Sequence, residues 1–182
     1  MHRRSLALLP LLAPILVACG ADPAASHLGG FGDPVRGAAL NAPRLLGDTS
    51  RLVGRPAQAA LAAVQLEVIA DAFRTDPRYM HEVSGTARAT VEAGRAELRR
   101  AIGIAPEAPP EMVIGQLRDA AAALEGGSRA RAEAALTGPA FPAGGAATLA
   151  RLGRLRFLPR VSEAAGAARA EIGRLDGSVR TS

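Results

Sequence analysis

Apolar residues recur along most of this chain at the spacing of amphipathic helices. The clearest series repeats every three or four residues and comprises Met80, Val83, Ala87, Val91, Gly94, Leu98 and Ile102. Residues at that spacing lie on one face of a helix. Ala87 and Gly94 are small, so a neighbouring helix can approach closely at those positions. No segment shows the strict alternation of apolar and polar residues that is typical of a half-buried strand.

Proline, glycine and capping residues divide the pattern into six predicted helices. Pro56 suits a first helical position, and the second helix is expected to begin with Asp76 as its cap and Pro77 in its first turn. The predicted helices are 56–74, 77–102, 110–125, 129–136, 146–156 and 159–175. With short connections between them, they predict an all-α protein, an antiparallel helical bundle of about five to six helices.

The residues that precede the first predicted helix lack this periodicity. Glycines and prolines interrupt the segment at Gly29, Gly30, Pro34, Gly37, Pro43 and Gly47. Such residues are typical of loops and linkers. We therefore expect a flexible tether over residues 19–54, a helical domain over residues 55–177 and a disordered tail over residues 178–182.

The N-terminus has the features of a secretory signal. A basic start is followed by a short apolar run from Ser5 to Val17. That run is too short to span a bilayer, which needs about 20 apolar residues. A basic start, a short apolar middle and a small-residue end are the marks of a cleaved signal peptide. Residues 1–18 are therefore predicted to be removed.

The predicted signal ends in Leu16-Val17-Ala18-Cys19, and Cys19 is the only cysteine in the chain. This stretch resembles the lipobox of bacterial lipoprotein precursors. The resemblance implies that the Cys19 sulfur receives a diacylglyceryl group, that cleavage occurs just before Cys19, and that the new amine is often acylated as well. Several acyl chains hold a protein stably on a membrane, whereas one chain binds marginally.

The same resemblance implies a location. In Gram-negative lipoproteins, an aspartate directly after the cysteine commonly retains the protein in the inner membrane, and here Gly20 follows Cys19. The expected location is the outer membrane, facing the periplasm. The body is similar to uncharacterised small helical lipoproteins of GC-rich bacteria, a similarity that implies no activity.

Composition narrows the chemistry available to the chain. All 22 basic residues are arginines, and after removal of the signal 20 of them oppose 17 acidic residues. This mild excess, together with a secretory signal, argues against nucleic acid as a partner. A Ser-Lys dyad is excluded without lysine, and His81 is the only histidine in the predicted domain, so a His/Cys metal cluster is excluded. We expect no cofactor, no metal and no enzymatic activity.

Two groups of residues are candidates for a binding site. The denser one is the basic run over residues 151–160, in which Arg151, Arg154 and Arg160 are candidates for contact with an anion or a partner. On the predicted helix Arg151 and Arg154 project away from the apolar face, while Arg156 lies closer to it. The alternative interpretation is an ordinary polar helix face.

The weaker candidate is a flank of the second predicted helix, formed by His81, Arg88, Glu92, Arg95 and Arg99. Such a flank is typical either of an anion site with a pH-sensitive histidine or of a solvated surface joined by weak ion pairs. Neither group belongs to a recognised catalytic motif.

These features predict a lipid-anchored helical protein that acts by binding, as a scaffold or assembly component of the bacterial cell envelope. Its expected partners are the membrane, through Cys19, and an envelope protein. The alternative is a small-ligand receptor or an enzyme whose site is built from scattered Arg, Glu and Tyr residues. A pocket with converging polar groups would favour the alternative, and an exposed apolar patch would favour the interaction protein.

Overall fold

The computed structural model describes residues 33–179, which fold as a bundle of seven α-helices with one short 3-10 helix. The elements are α1 (Pro34–Leu46), the 3-10 helix (Thr49–Leu52), α2 (Pro56–Thr75), α3 (Gly85–Ile102), α4 (Pro110–Glu125), α5 (Arg129–Ala135), α6 (Gly145–Leu152) and α7 (Pro159–Val179). No strand occurs in residues 33–179, so the all-α prediction is confirmed. The predicted signal peptide and the lipobox lie outside the described residues.

Helix α2 occupies the centre of the bundle. It contacts α1, α3, α4 and α6, and most of its residues are buried. The reason lies in its sequence, because apolar side chains occupy two rows and alanines such as Ala59 and Ala63 fill the positions between them. Small residues let several neighbours approach one helix at the same time. Helix α2 is therefore the common neighbour of α1, α3, α4 and α6, while α7 packs on α3 and α1, and α5 packs on α4 and α6.

Helix α7 runs antiparallel to α1. At one end the Arg36 guanidinium lies 2.7 Å from the Asp176 carboxylate, and at the other the Ser162 hydroxyl donates to the Gly47 carbonyl oxygen at 2.8 Å. The N-terminus of α1 therefore lies beside the C-terminal part of α7. The Gly47 end of α1 lies beside the first turn of α7.

Helix α7 is antiparallel to α3 as well. The backbone N–H of Ser84, the cap residue of α3, donates to the Glu171 carboxylate at 2.7 Å. Ten residues further along α3, Gly94 faces Ala164 and the Arg160 carbonyl. The neighbouring guanidinium of Arg174 and the hydrogen bond from Ser84 lower the pKa of Glu171, because both favour the charged carboxylate.

The tether prediction was wrong for residues 34–52, which form α1 and the 3-10 helix. The buried residues Val35, Ala38, Ala42 and Leu46 have helical spacing, and the Asp33 carboxylate caps α1 by accepting from the backbone N–H groups of its first turn. Pro34 at the first helical position favours a helix start instead of breaking it. The folded domain therefore begins at residue 33 or before it, and not at residue 55.

Three other helix boundaries also differ from the predictions. Helix α3 begins at Gly85 and not at Asp76, because Ser84 caps it and residues 77–82 form turns. Helix α6 ends at Leu152, earlier than the predicted end at residue 156. Helix α7 continues through Val179, so Ser178 and Val179 are helical and not part of a disordered tail.

Tyr79 joins the turns before α3 to the start of α1. Its ring is buried with its centroid 6.1 Å from that of Phe73, and its hydroxyl donates to Asp33. Burial, followed by the hydrogen bond to Asp33, raises the pKa of Tyr79 well above its usual range. Of the helices in residues 33–179, none is both long enough and apolar enough to cross a bilayer.

Candidate functional site

The basic run 151–160 lies mainly in an irregular segment between α6 and α7, which is held in place by Thr49. The Thr49 side chain is fully buried, donates to the Arg156 carbonyl oxygen at 2.5 Å and accepts from the Leu158 N–H at 3.0 Å. The backbone N–H of Gly54 donates to the Gly153 carbonyl oxygen at 2.9 Å. Residues 47–54, which were predicted to belong to the tether, therefore support the basic segment and fix its position.

A cleft of about 380 Å³ opens beside this segment. It is lined by Ala101, Ala150, Arg151, Arg154, Leu155, Arg156 and Leu158. The three arginines are exposed, whereas Leu155 is buried and Leu158 is partly buried. The cleft therefore places cationic N–H donors next to apolar carbon. That combination suits an anionic group attached to a hydrocarbon.

Arg151 is positioned by a glycine at the end of α3. Gly103 has a φ of +84°, and a Cβ added to it would lie 1.8 Å from the Arg151 Nη1 atom. The missing side chain thus makes room for the guanidinium. This group lies beside the C-terminal end of α3, where the helix dipole favours a cation.

The cleft arginines have no acidic partner within the described part of the chain. Across residues 33–177, the side chains of Arg151, Arg154 and Arg156 form neither an ion pair nor a hydrogen bond. Arginine keeps its charge at all physiological pH values. The three guanidinium groups are therefore permanently charged, with their donors available to an anion.

The charge distribution of the body is uneven. Residues 33–177 contain 19 arginines and 16 acidic residues, and the two segments 47–55 and 150–160 together hold six of the arginines and one of the acids. We call these six exposed residues the arginine surface: Arg51, Arg55, Arg151, Arg154, Arg156 and Arg160. Outside the two segments acidic residues outnumber arginines, so the positive excess of the domain is confined to them.

The same two segments carry exposed apolar side chains. Phe157 is 53% exposed and Val53 is 54% exposed, and Met112 is the only other large apolar residue in residues 33–177 with comparable exposure. Val53 precedes Gly54, whose N–H donates to the Gly153 carbonyl oxygen. Phe157 lies between Arg156 and Leu158, whose backbone atoms bond to the Thr49 hydroxyl. Both exposed side chains therefore lie where the two segments are joined.

The structure brings together only part of the predicted set Arg151, Arg154 and Arg160. Arg151 and Arg154 line the cleft, whereas Arg160 lies in the first turn of α7 and is exposed outside it. Arg156, which was expected near the apolar face of the helix, is the third arginine that lines the cleft. It can do so because α6 ends at Leu152, which frees Arg156 from the helical geometry on which that expectation rested.

The weaker predicted flank does not form one site. His81 is exposed in the turns before α3, and the Arg88 guanidinium donates to the carbonyl oxygens of Met80 and Val83. Arg95 pairs with Glu92 at 2.9 Å. His81 and Arg88 therefore lie apart from Glu92, Arg95 and Arg99, and most of the charged groups of this flank interact with neighbouring protein atoms.

Arg99 is buried in an ion pair with Glu67, so it does not lie on the solvated surface that was one of the two interpretations of this flank. Its Nε and Nη2 atoms each lie 2.7 Å from a Glu67 oxygen, and Nη1 donates to the carbonyl oxygens of Pro106 and Ala108 at 2.9 Å. This arrangement ties α2, α3 and the segment before α4 together. The sequence signal that could have indicated it is a lone carboxylate, Glu67, within the apolar central helix.

A second, smaller cleft of about 200 Å³ lies along the outer side of α3. Its lining includes Glu92, Arg95, Arg99 and Arg100. The charges of Arg99 and Arg95 are balanced by Glu67 and Glu92. Of the three arginines in this cleft, Arg100 is therefore the one without an ion-pair partner in residues 33–177. Within residues 33–177, no group of three or more His, Cys, Asp or Glu side chains is arranged to hold a metal ion.

No protein-family model matches this sequence, and comparisons with curated proteins and with solved structures found no match.

Proposed function

We propose that this protein is a lipid-anchored lipoprotein of the bacterial cell envelope that acts by binding. Its acylated Cys19 would hold it on the outer membrane, facing the periplasm, and its arginine surface would contact an anionic component of the envelope. The observation that carries the binding role is the cleft with three arginines that lack acidic partners in residues 33–177.

Rigidity supports this proposal. The basic segment is held through Thr49 and Gly54, so its backbone does not have to be ordered when a partner binds. Binding to a preorganised surface loses less conformational entropy than binding to a mobile loop. Arginine also offers paired donors that match phosphate and carboxylate oxygens. A scaffold or assembly role, with an envelope protein among the partners, fits such a surface.

The second candidate function is a small-ligand receptor that uses the cleft of Glu92, Arg95 and Arg100. It is favoured by the concave shape and by the mixed charges of that cleft. The ion pair between Glu92 and Arg95 already satisfies part of those charges, so this cleft has fewer donors to offer than the one at Arg151. A ligand-induced rise in melting temperature that is lost in Arg95→Ala and kept in Arg151→Gln would favour this candidate.

Changing Cys19 to serine is expected to abolish lipidation, because a serine hydroxyl does not replace the cysteine sulfur as the acceptor of the diacylglyceryl group. Metabolic labelling with a radioactive fatty acid in the native host should give a labelled protein for the unchanged chain only. The variant should also accumulate at the mass of the unprocessed precursor. Normal labelling and normal processing of Cys19→Ser would contradict the proposed anchor.

Changing Arg151, Arg154 and Arg156 together to glutamine is expected to weaken contact with the envelope partner at least about tenfold, since a hydrogen bond to a charged group contributes about 1.5–3 kcal/mol. The measurement is the yield of cross-links from a photoreactive residue at position 157 in intact cells. Cross-linking in spheroplasts should also fall as ionic strength rises.

The matched control for this experiment removes the same charge elsewhere. Arg74, Arg131 and Arg169 are exposed and lie outside the arginine surface. Their combined change to glutamine should leave the cross-links from position 157 unaltered. Equal yields from the two triple variants and from the unchanged chain would mean that the cleft arginines form an ordinary solvated face.

A further inference from the structure

We propose that the arginine surface docks on the phosphate groups of anionic phospholipids, at the surface of the bilayer that holds the anchor, with Phe157 entering the interface. This inference rests on the proposed function, because the acylated Cys19 is what keeps the domain close to a bilayer. It names the partner of the arginine surface as a lipid surface instead of an acidic glycan or an acidic protein.

The uneven distribution of charge favours an anionic lipid surface as the partner. Six arginines and a single acid, Asp48, occupy the two joined segments, while the rest of the body has a small negative excess. An anionic bilayer attracts the two joined segments and repels the rest of the body. It therefore orients the domain with the arginine surface towards the membrane. Each arginine that reaches an anionic surface strengthens the association about fivefold.

An exposed apolar side chain within the basic region also favours a bilayer. Phe157 is 53% exposed between Arg156 and Leu158, on a segment held by Thr49 on both sides of it. An aromatic ring beside basic groups is the combination found where proteins lie at a membrane interface. A hydrated acidic glycan would leave this ring in water. A bilayer interface removes it from water.

The shape and the lining of the cleft suit a phospholipid headgroup. Arg151, Arg154 and Arg156 surround an opening of about 380 Å³ whose other walls are Leu155, Leu158 and two alanines. A phospholipid headgroup joins a phosphate to the carbon of its glycerol. The phosphate matches the guanidinium groups and the carbon matches the leucines, which a free inorganic phosphate would not use.

The reach of the chain allows this contact. Because α1 and α7 are antiparallel, Asp33 lies at the opposite end of α1 from the arginine surface, about 20 Å away along a 13-residue helix. Residues 20–32 separate Cys19 from Asp33 and span at most about 45 Å. The domain can therefore lie with α1 along the surface of the bilayer, so that the anchor and the arginine surface reach the same membrane.

The test uses a fluorescent probe at the position of Phe157. The chain has no tryptophan, so Phe157→Trp introduces a single tryptophan into the arginine surface, and its emission can be excited selectively beside the one tyrosine. The lipidated full-length protein is reconstituted through its own anchor into vesicles of phosphatidylcholine alone or of phosphatidylcholine mixed with phosphatidylglycerol. We expect a shift of emission to shorter wavelength, and quenching by brominated lipid, in the mixed vesicles only.

Two further variants make the test specific. Met112→Trp places the single tryptophan on another exposed apolar position and should respond equally in both kinds of vesicle. Phe157→Trp combined with the glutamine changes at Arg151, Arg154 and Arg156 should lose the shift, and high salt should reduce it. Circular dichroism establishes that each variant is folded before its spectrum is compared.

The outcomes separate this inference from the proposed function. If Phe157→Trp gives the same spectrum in neutral and anionic vesicles, lipid docking is wrong. If position 157 then still yields arginine-dependent cross-links to a protein in cells, binding through the arginine surface stands with a protein as the partner. Failure of fatty-acid labelling at Cys19 would instead overturn the anchor on which both proposals rest.

Discussion

Changing Glu67 to alanine is expected to lower the free energy of unfolding by about 3–5 kcal/mol, since it leaves the buried Arg99 charge without its partner. The side chains of Arg99 and Glu67 are only 6% and 2% exposed, and two hydrogen bonds join them. Chemical denaturation followed by circular dichroism measures the change.

Two controls separate burial from ion pairing in this experiment. Glu133→Ala breaks the pair with Arg129, whose side chain is 65% exposed, and should change stability by no more than about 0.5 kcal/mol. The double change Glu67→Leu with Arg99→Met removes both charges and should recover most of the loss, as apolar replacements of buried pairs often do. If Glu67→Ala is no more destabilising than Glu133→Ala, the buried pair is not what joins α2 to α3.

The predictions from sequence succeeded where local chemistry decides the structure. Pro56 and Pro110 start α2 and α4, and Ser128 caps α5, as their positions in the sequence indicated. In each case the signal is a single residue whose preferred dihedral angles or side-chain acceptor suit a helix start. The apolar series is buried from Val83 to Ile102, whereas its first member, Met80, lies in the turns before α3 and is only partly buried.

The failure over residues 34–46 has another physical cause, because packing against distant segments outweighed the proline and glycine inside this helix. Residues 34–46 contain Pro43 and Gly37, which weaken a helix in isolation, yet Ala38, Ala39 and Ala42 are fully buried in α1. Burial of the alanine face stabilises this helix beyond what its own propensities allow. Nothing local to this segment indicates that α2 and α7 are available to cover it.

The candidate site was predictable only in part for the same reason. Arg151 follows from helical periodicity, which places it away from the leucines of α6. Arg154 was predicted on the same helix, but α6 ends at Leu152, so its place in the cleft is not set by that periodicity. Thr49 lies more than 100 residues before the segment that it supports, and no spacing in the sequence connects the two. Gly103 and Arg151 likewise meet only after α3 and α6 have packed.

Changing Gly94 to alanine is expected to lower the free energy of unfolding by about 1–3 kcal/mol, because an added methyl group overpacks the contact between α3 and α7. Its Cβ would lie 2.4 Å from the Ala164 Cβ and 2.7 Å from the Arg160 carbonyl oxygen, so the backbone of α7 has to move. Alanine normally favours a helix over glycine by about 1 kcal/mol, so the overpacking must exceed that gain. Thermal unfolding followed by circular dichroism measures the sign of the effect.

The control is the same substitution on the open side of α7. Gly166 is exposed, and an added Cβ would meet no atom within 4 Å, so Gly166→Ala should stabilise the protein by about 0.5–1 kcal/mol. Opposite signs for the two changes would establish close contact at Gly94, and a stabilising Gly94→Ala would contradict it.

The contact at Gly94 also bears on the arginine surface, since Glu97 of α3 accepts from the Val161 N–H at 3.1 Å and so holds the first turn of α7 beside Gly94. A methyl group at Gly94 that displaces this turn should therefore move Arg160 and the segment that precedes it.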